Sequence, residues 1–232
     1  MTNPHDNLFH YTFGKPRHAE GWLRSVLPAH IVAVVAWQTL RVGPGRIDGR
    51  DLRLRYADVV HFAELVTGPT LGFLLEHQSA DKAGLHQQVL GYAVNLGESG
   101  LPLLAVVLCH GERPRADVDP WDAVLASLDP AAARAIAGAQ ARVLMFIDDL
   151  MRCDETQLRR LLLTALAQVT LLCLRFLREH TVGQALDAID RWGDLLRAVD
   201  RDTGEGSGVE AIERLSCYFL RVTEIPPEIL HA

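Results

Sequence analysis

Leu71-Gly-Phe-Leu-Leu-Glu-His-Gln-Ser79 is an apolar run that closes on polar residues, and the fold follows from its surroundings. Thr67, Gly68 and Pro69 form a turn just before it, so the run reads as a strand. On the other side of that turn, Leu52 to Phe62 alternates. Leu52, Leu54, Tyr56 and Asp58 share one face, and Arg53, Arg55, Ala57 and Val59 the other. So short a connection predicts an antiparallel hairpin. Downstream, Leu85 to Asn95 has helical character and Leu101 to Cys109 is continuously apolar, as a central buried strand is. Strand, helix and strand make a crossover unit.

Working outward, residues 6–27 place Leu8, Phe9, Phe13, Trp22, Leu23, Val26 and Leu27 at helical spacing, punctuated by Gly14 and Pro16. One or two N-terminal helices are expected there, then a helical turn running into a strand over Ile31–Leu40. Beyond Gly111 a polar, proline-bearing linker begins, and Val143–Ile147 reads as a short extra strand. Helical patterns cover 155–179, 183–200 and 208–220. The expected class is α/β: a small mixed sheet flanked by helices over residues 1–112, a linker and peripheral element over 113–150, and a helical C-terminal region over 151–232.

The 232 residues are 49% hydrophobic and 22% charged, which excludes a disordered or fibrous chain. Leu161–Leu177, the most apolar stretch, is interrupted by Thr164, Gln168, Thr170 and Arg175, so it reads as a buried helix and not a membrane span. Four cysteines without a CxxC pair, and no apolar leader after Met1, predict reduced thiols in the cytoplasm. A net charge of −6 argues against a tight, non-specific grip on nucleic acid.

The chemistry concentrates on Asp58, Glu76 and Gln78. Asp58 lies in an apolar strand beside Val59 and Val60, where a carboxylate is costly unless paired or bound to a cation. Glu76 and Gln78, two apart on the next strand, project from one face. Asp58 and Glu76 on adjacent strands would repel, and Mg²⁺ or Mn²⁺ would remove the conflict. The plain alternative is that Asp58 caps a strand end and Glu76 faces solvent. His77, on the opposite face, reads as a packed histidine.

Several blocks, in order, resemble the recombination-promoting nuclease / putative transposase (YhgA-like) family. They are His5-Asp-Asn-Leu-Phe9 with Phe13 and Leu27-Pro28, Tyr56-Ala-Asp-Val-Val60, Leu74-Leu-Glu-His-Gln-Ser79, Val106-Val-Leu-Cys-His-Gly-Glu-Arg-Pro114 and Phe146-Ile-Asp-Asp-Leu150. The resemblance covers residues 4–160 and implies a PD-(D/E)xK restriction-endonuclease-like core with a helical C-terminal extension. It assigns the catalytic motif to Asp58, Glu76 and Gln78, with Asp58 and Glu76 as metal ligands. Glutamine stands where the superfamily usually has lysine, and a neutral amide can only donate or accept hydrogen bonds. Gln88 and Tyr92, at i and i+4, look like the Q-x-x-x-Y motif of the RecB and lambda-exonuclease branch; alternatively they are an ordinary polar residue and a packed tyrosine. Glu20 is a candidate helix carboxylate for a second metal. Asp149 is a candidate for a modulating role.

Between Arg41 and Arg55, five arginines face two acids, a local excess of three positive charges in an acidic chain. Arg46, Arg50, Arg53 and Arg55 are therefore candidate DNA contacts, or else a solvated face. The function expected is a cytoplasmic Mg²⁺- or Mn²⁺-dependent DNA endonuclease linked to recombination or mobile elements. Its rivals are a catalytically weakened DNA-binding protein on the same fold, and an assembly protein. A homodimer through the C-terminal helices would cover the apolar helix at 155–179.

Overall fold

In the computed structural model, the apolar run becomes β5 (Thr70–Gln78), the central strand of a five-stranded sheet. The structure describes residues 3–43, 47–48, 54–55, 59–79, 85–97, 101–111, 125–137, 145–177 and 182–223. Three helices come first: α1 (Pro4–Phe13), α2 (Pro16–Val26) and the short α3 (Ala29–Val32), which leads into β1 (Val35–Val42). Prolines at the first helical position start α1 and α2, where the missing N–H costs nothing. A small separate hairpin, β2 (Ile47–Asp48) with β3 (Leu54–Arg55), precedes β4 (Val59–Leu65). After β5 come α4 (Leu85–Gly97), β6 (Leu103–Cys109), α5 (Pro130–Ala137) and β7 (Met145–Asp149). The C-terminal helices are α6 (Glu155–Arg160), α7 (Ala165–Phe176), α8 (Val182–Arg191), α9 (Gly193–Arg201) and α10 (Val209–Thr223).

The sheet order is β1-β4-β5-β6-β7. β4 pairs antiparallel with β1 and β5, while β5, β6 and β7 run parallel, so the expected hairpin and crossover are both present. The expected single strand over Leu52–Phe62 is corrected. Arg55 pairs with Ile47 in the small hairpin, and the main-sheet strand begins at Val59.

Alternation along β5 separates two cores. Phe73 and Leu75 join α1, α2, α7, α9 and α10 on one face, while Leu74 joins Leu85, Val89 and Tyr92 of α4 on the other. The first core draws on residues from Leu8 to Phe219, so the C-terminal helices bury their apolar faces on the N-terminal ones.

The expected helix over 155–179 is broken. Thr164 caps α7 by accepting from the Ala167 N–H, and the Gln168 side chain donates to Arg159 O and Leu161 O. Those bonds satisfy carbonyls that α6 leaves open, so the break costs little. The pattern over 183–200 also splits, at Trp192. Leu166 through Leu174 are all buried within the chain, while Leu162, in the break before α7, is exposed. Among the described residues no helix is long and apolar enough to cross a membrane.

His18 ties α2 to the same break, its Nδ1 lying 2.7 Å from Thr164 Oγ1. Burial first, then Arg17 and Lys15, depress the imidazole to about 4. A folded pKa below the unfolded value of about 6.5 means the unfolded chain binds more protons between them. Stability should therefore fall as pH drops from about 6.5 to about 4, by on the order of 3 kcal/mol. His18→Gln should flatten that segment of the stability–pH curve, as read by urea melts at closely spaced pH values; an unchanged slope would remove His18 as the cause.

Candidate active site

Glu76 and Gln78 end β5 on the face that α4 covers. They are 1% and 4% exposed, so the reading in which Glu76 faces solvent does not hold. Their position follows from the crossover. β5 ends where β6 has already begun to shield it, with Glu76 opposite Val107 and Gln78 opposite Cys109, and α4 lies across both.

α4 contributes the second layer of the site. Leu85, Val89 and Tyr92 bury its apolar stripe, which brings Gln88 over the end of β5. Gln88 Nε2 donates to Glu76 Oε2 at 3.2 Å and to Tyr92 Oη at 3.1 Å. The Q-x-x-x-Y spacing thus does what helical geometry allows: one amide bridges a phenol on its own helix and a carboxylate on the sheet. A hydrogen bond donated to a carboxylate fixes its orientation.

Gln78 Oε1 is buried and, among the described residues, accepts no hydrogen bond. Asp149 shares this sheet face, paired with Cys109 across β6–β7, but its carboxylate caps the following turn through Met151 N and meets Arg152 at 3.4 Å.

Asp58 lies outside the described residues, as do Arg46, Arg50 and Arg53. Arg55 is placed by its backbone in β3. Glu20 is not brought to Glu76. It sits on α2, pairs with Arg24 at 3.0 Å and lines a cavity with Arg17 and Arg160.

The opposite face of the strand end holds a cluster that the spacing alone did not reveal. His77 stacks between Phe9 (5.1 Å) and His110 (4.7 Å), and its Nδ1 lies 2.8 Å from Asp6 Oδ1. His5 packs edge-on to His110 at 4.9 Å and reaches Tyr218 Oη at 2.9 Å. Among the described residues no group of three or more His, Cys, Asp or Glu side chains could hold a metal ion. The only sequence signal was the apolar period of α1, which places His5 and Phe9 on one face.

The family model described as "Putative transposase, YhgA-like" matches residues 3–204. The chain belongs to that family. Over 117 residues it is 30% identical to "Recombination-promoting nuclease RpnA" of Escherichia coli (strain K12), a match covering 47% of this chain and 40% of that protein. The chain thus spans less than half the length of that relative. No solved structure matches it.

Proposed function

We propose that this chain is a divalent-metal-dependent deoxyribonuclease with a PD-(D/E)xK-type core, acting in recombination or on mobile elements. The observation that carries the reading is the buried Glu76 carboxylate, held by the Gln88–Tyr92 bridge beside a Gln78 amide oxygen that has no donor among the described residues. Family membership and the name of the relative supply the reaction class. Four free cysteines fit a cytoplasmic setting.

Hard oxygen donors suit Mg²⁺ or Mn²⁺, and carboxylate plus amide oxygens are such a set. Glu76 and Asp58 would hold the ion. When bound, it supplies a lowered pKa for water and charge stabilisation for a phosphoryl oxygen. The chain's own residues do the rest. Gln88 orients the Glu76 carboxylate, and Tyr92 fixes Gln88. Gln78 accepts a proton-bearing group of water, or donates to a phosphate oxygen. It cannot add the positive charge of a lysine, so the chemical step is slower than a lysine would make it.

The test is nicking of supercoiled plasmid with Mn²⁺ by wild type and Asp58→Ala. Wild type should nick and the variant should not. Equal nicking by both would point to contamination and end the nuclease reading. DNA binding without cleavage by wild type would favour the weakened-nuclease alternative, for which the neutral Gln78 is the sequence feature.

A further inference from the structure

We infer that the cleft between α1 and α10 is a seat for a backbone phosphate of the nucleic-acid strand, next to the strand end that carries Glu76 and Gln78. The inference rests on the nucleic-acid reading above and extends it to a surface that the sequence did not mark. The cleft encloses about 480 Å³ and is lined by Pro4, Asn7, Tyr11, Arg214, Tyr218 and Arg221, with Leu8 and Cys217 beside them. In a chain of net charge −6, none of the described residues lining it is a carboxylate.

Arg214 and Arg221 lie seven residues apart on α10, two turns along one helical face. Both are exposed, and neither makes an ion pair within 4 Å among the described residues. Arg17, Arg24 and Arg159 are engaged by Asp202, Glu20 and Asp194, whereas Arg134 and Arg201, like Arg214 and Arg221, make no ion pair among the described residues. Arg214 is placed over the Tyr11 ring, its guanidinium carbon 5.5 Å from the centroid, which orders the side chain without neutralising it. Two acids stand at the edge of the cleft: Glu210, one turn before Arg214, hydrogen-bonds the Tyr11 hydroxyl, and Glu213 acts on the same phenol. Two exposed guanidinium groups without an ion pair are donors that match a phosphodiester, whereas the hydroxyls of Tyr11 and Tyr218 are engaged within the chain by Gly206 O, His5 and Cys173 O.

The cleft joins the candidate active site through two short routes. Asn3, which caps α1, donates from Nδ2 to Ser79 Oγ at 3.2 Å, one residue past Gln78. Tyr218 meets His5, His5 packs on His110, and the His110 N–H donates to Gln78 O at 3.0 Å. The cleft lies on the α1 face of the sheet and the Glu76–Gln78 pair on the α4 face, so a strand with one phosphodiester at that pair would have to pass around the carboxyl ends of β5 and β6, where ligands of parallel sheets commonly sit, to meet the cleft.

The experiment measures binding of a fluorescent DNA duplex to the full chain by anisotropy, as a function of KCl. Three double variants accompany wild type: Arg214→Gln/Arg221→Gln, Arg214→Lys/Arg221→Lys, and Arg134→Gln/Arg201→Gln as an equal change of charge elsewhere. Each phosphate contact contributes about 0.9 to the slope of log K against log salt. The cleft glutamine pair should flatten the slope by about 0.9, the contribution of one phosphate, and the lysine pair and the distant pair should keep the wild-type slope. If wild type binds and all variants share its slope, the cleft is not a phosphate seat and the nucleic-acid reading stands without it. If wild type binds no DNA at all, both fall. If the cleft binds inorganic phosphate in a direct titration while the DNA slope is indifferent to Arg214 and Arg221, it is a small-anion site and the inference is overturned.

Discussion

Glu76→Gln should abolish metal-dependent DNA cleavage while leaving the thermal midpoint unchanged or slightly raised. The amide keeps the shape of the carboxylate and fills the same space among Val107, α4 and the end of β5. Its oxygen can still accept from Gln88 Nε2, the bond seen at 3.2 Å. A buried charge is costly to keep, so removing it does not weaken the fold. The loss falls on chemistry. A metal ion at such a site stabilises developing charge by several kcal/mol, and each 1.36 kcal/mol is tenfold in rate, so the expected drop is about 10³-fold or more. Gln88→Leu removes only the donor that orients Glu76, and the expected cost is about 10- to 100-fold in metal affinity or rate. Mn²⁺ titrations of nicking by the two variants, beside thermal melts, check both. A Glu76→Gln protein that nicks as wild type does would place the metal, or the chemistry, elsewhere. A fall in cleavage matched by a fall in melting temperature would make Glu76 a structural residue.

How much of this was legible in the sequence depends on whether the signal was local. β5, α4 and β6 were read directly, because an apolar run, a helical period and a second apolar run leave few alternatives. Glu76 and Gln78 were placed on one face by the period of two, and Gln88 and Tyr92 on one face by the period of 3.6. Their meeting was not legible. The Gln88–Glu76 bond depends on how α4 lies across the sheet, and no local pattern encodes that angle. The break between α6 and α7 was missed for a related reason: Leu161 to Leu163 continue the apolar pattern, and the competing signals are the Thr164 cap and the reach of Gln168 back to Arg159 and Leu161. Leu52–Phe62 read as one strand because alternation does not say which partner each half will find. Arg214 and Arg221 were passed over because α10 reads as an ordinary amphipathic helix; only the packing of α10 against α1 turns their seven-residue spacing into the wall of a cleft.

The largest expected loss of stability is at Trp22, where three elements converge. The ring is fully buried, meets Phe9 edge-on at 5.9 Å and Phe13 at 4.8 Å, and its Nε1 donates to Asp148 Oδ2 on β7 at 2.7 Å. It therefore joins α1, α2 and the edge of the sheet. Trp22→Ala should cost about 3–5 kcal/mol for the lost burial and the cavity. Leaving the Asp148 carboxylate without its donor adds about 1–3 kcal/mol. Against a typical total of about 5–15 kcal/mol, that variant stands near the threshold of unfolding. Trp22→Phe separates the two contributions, since a ring remains but the N–H is gone. Burial raises the Asp148 carboxyl above the usual carboxylate range, and the indole N–H is the main influence opposing it. A folded pKa above the unfolded one means stability that is present at low pH and lost as pH rises past the ordinary carboxylate value toward the folded one. Removing the donor lifts the folded pKa further, so the deficit of Trp22→Phe should be smaller at acid pH than at neutral pH. Asp148→Asn should erase that difference, because an amide carries no titrating proton. The check is a double-mutant cycle over Trp22→Phe and Asp148→Asn, run by urea denaturation at pH 4.5 and pH 7.5. A coupling energy of zero at both values would mean that the indole–carboxylate bond contributes nothing and that Trp22 acts through packing alone.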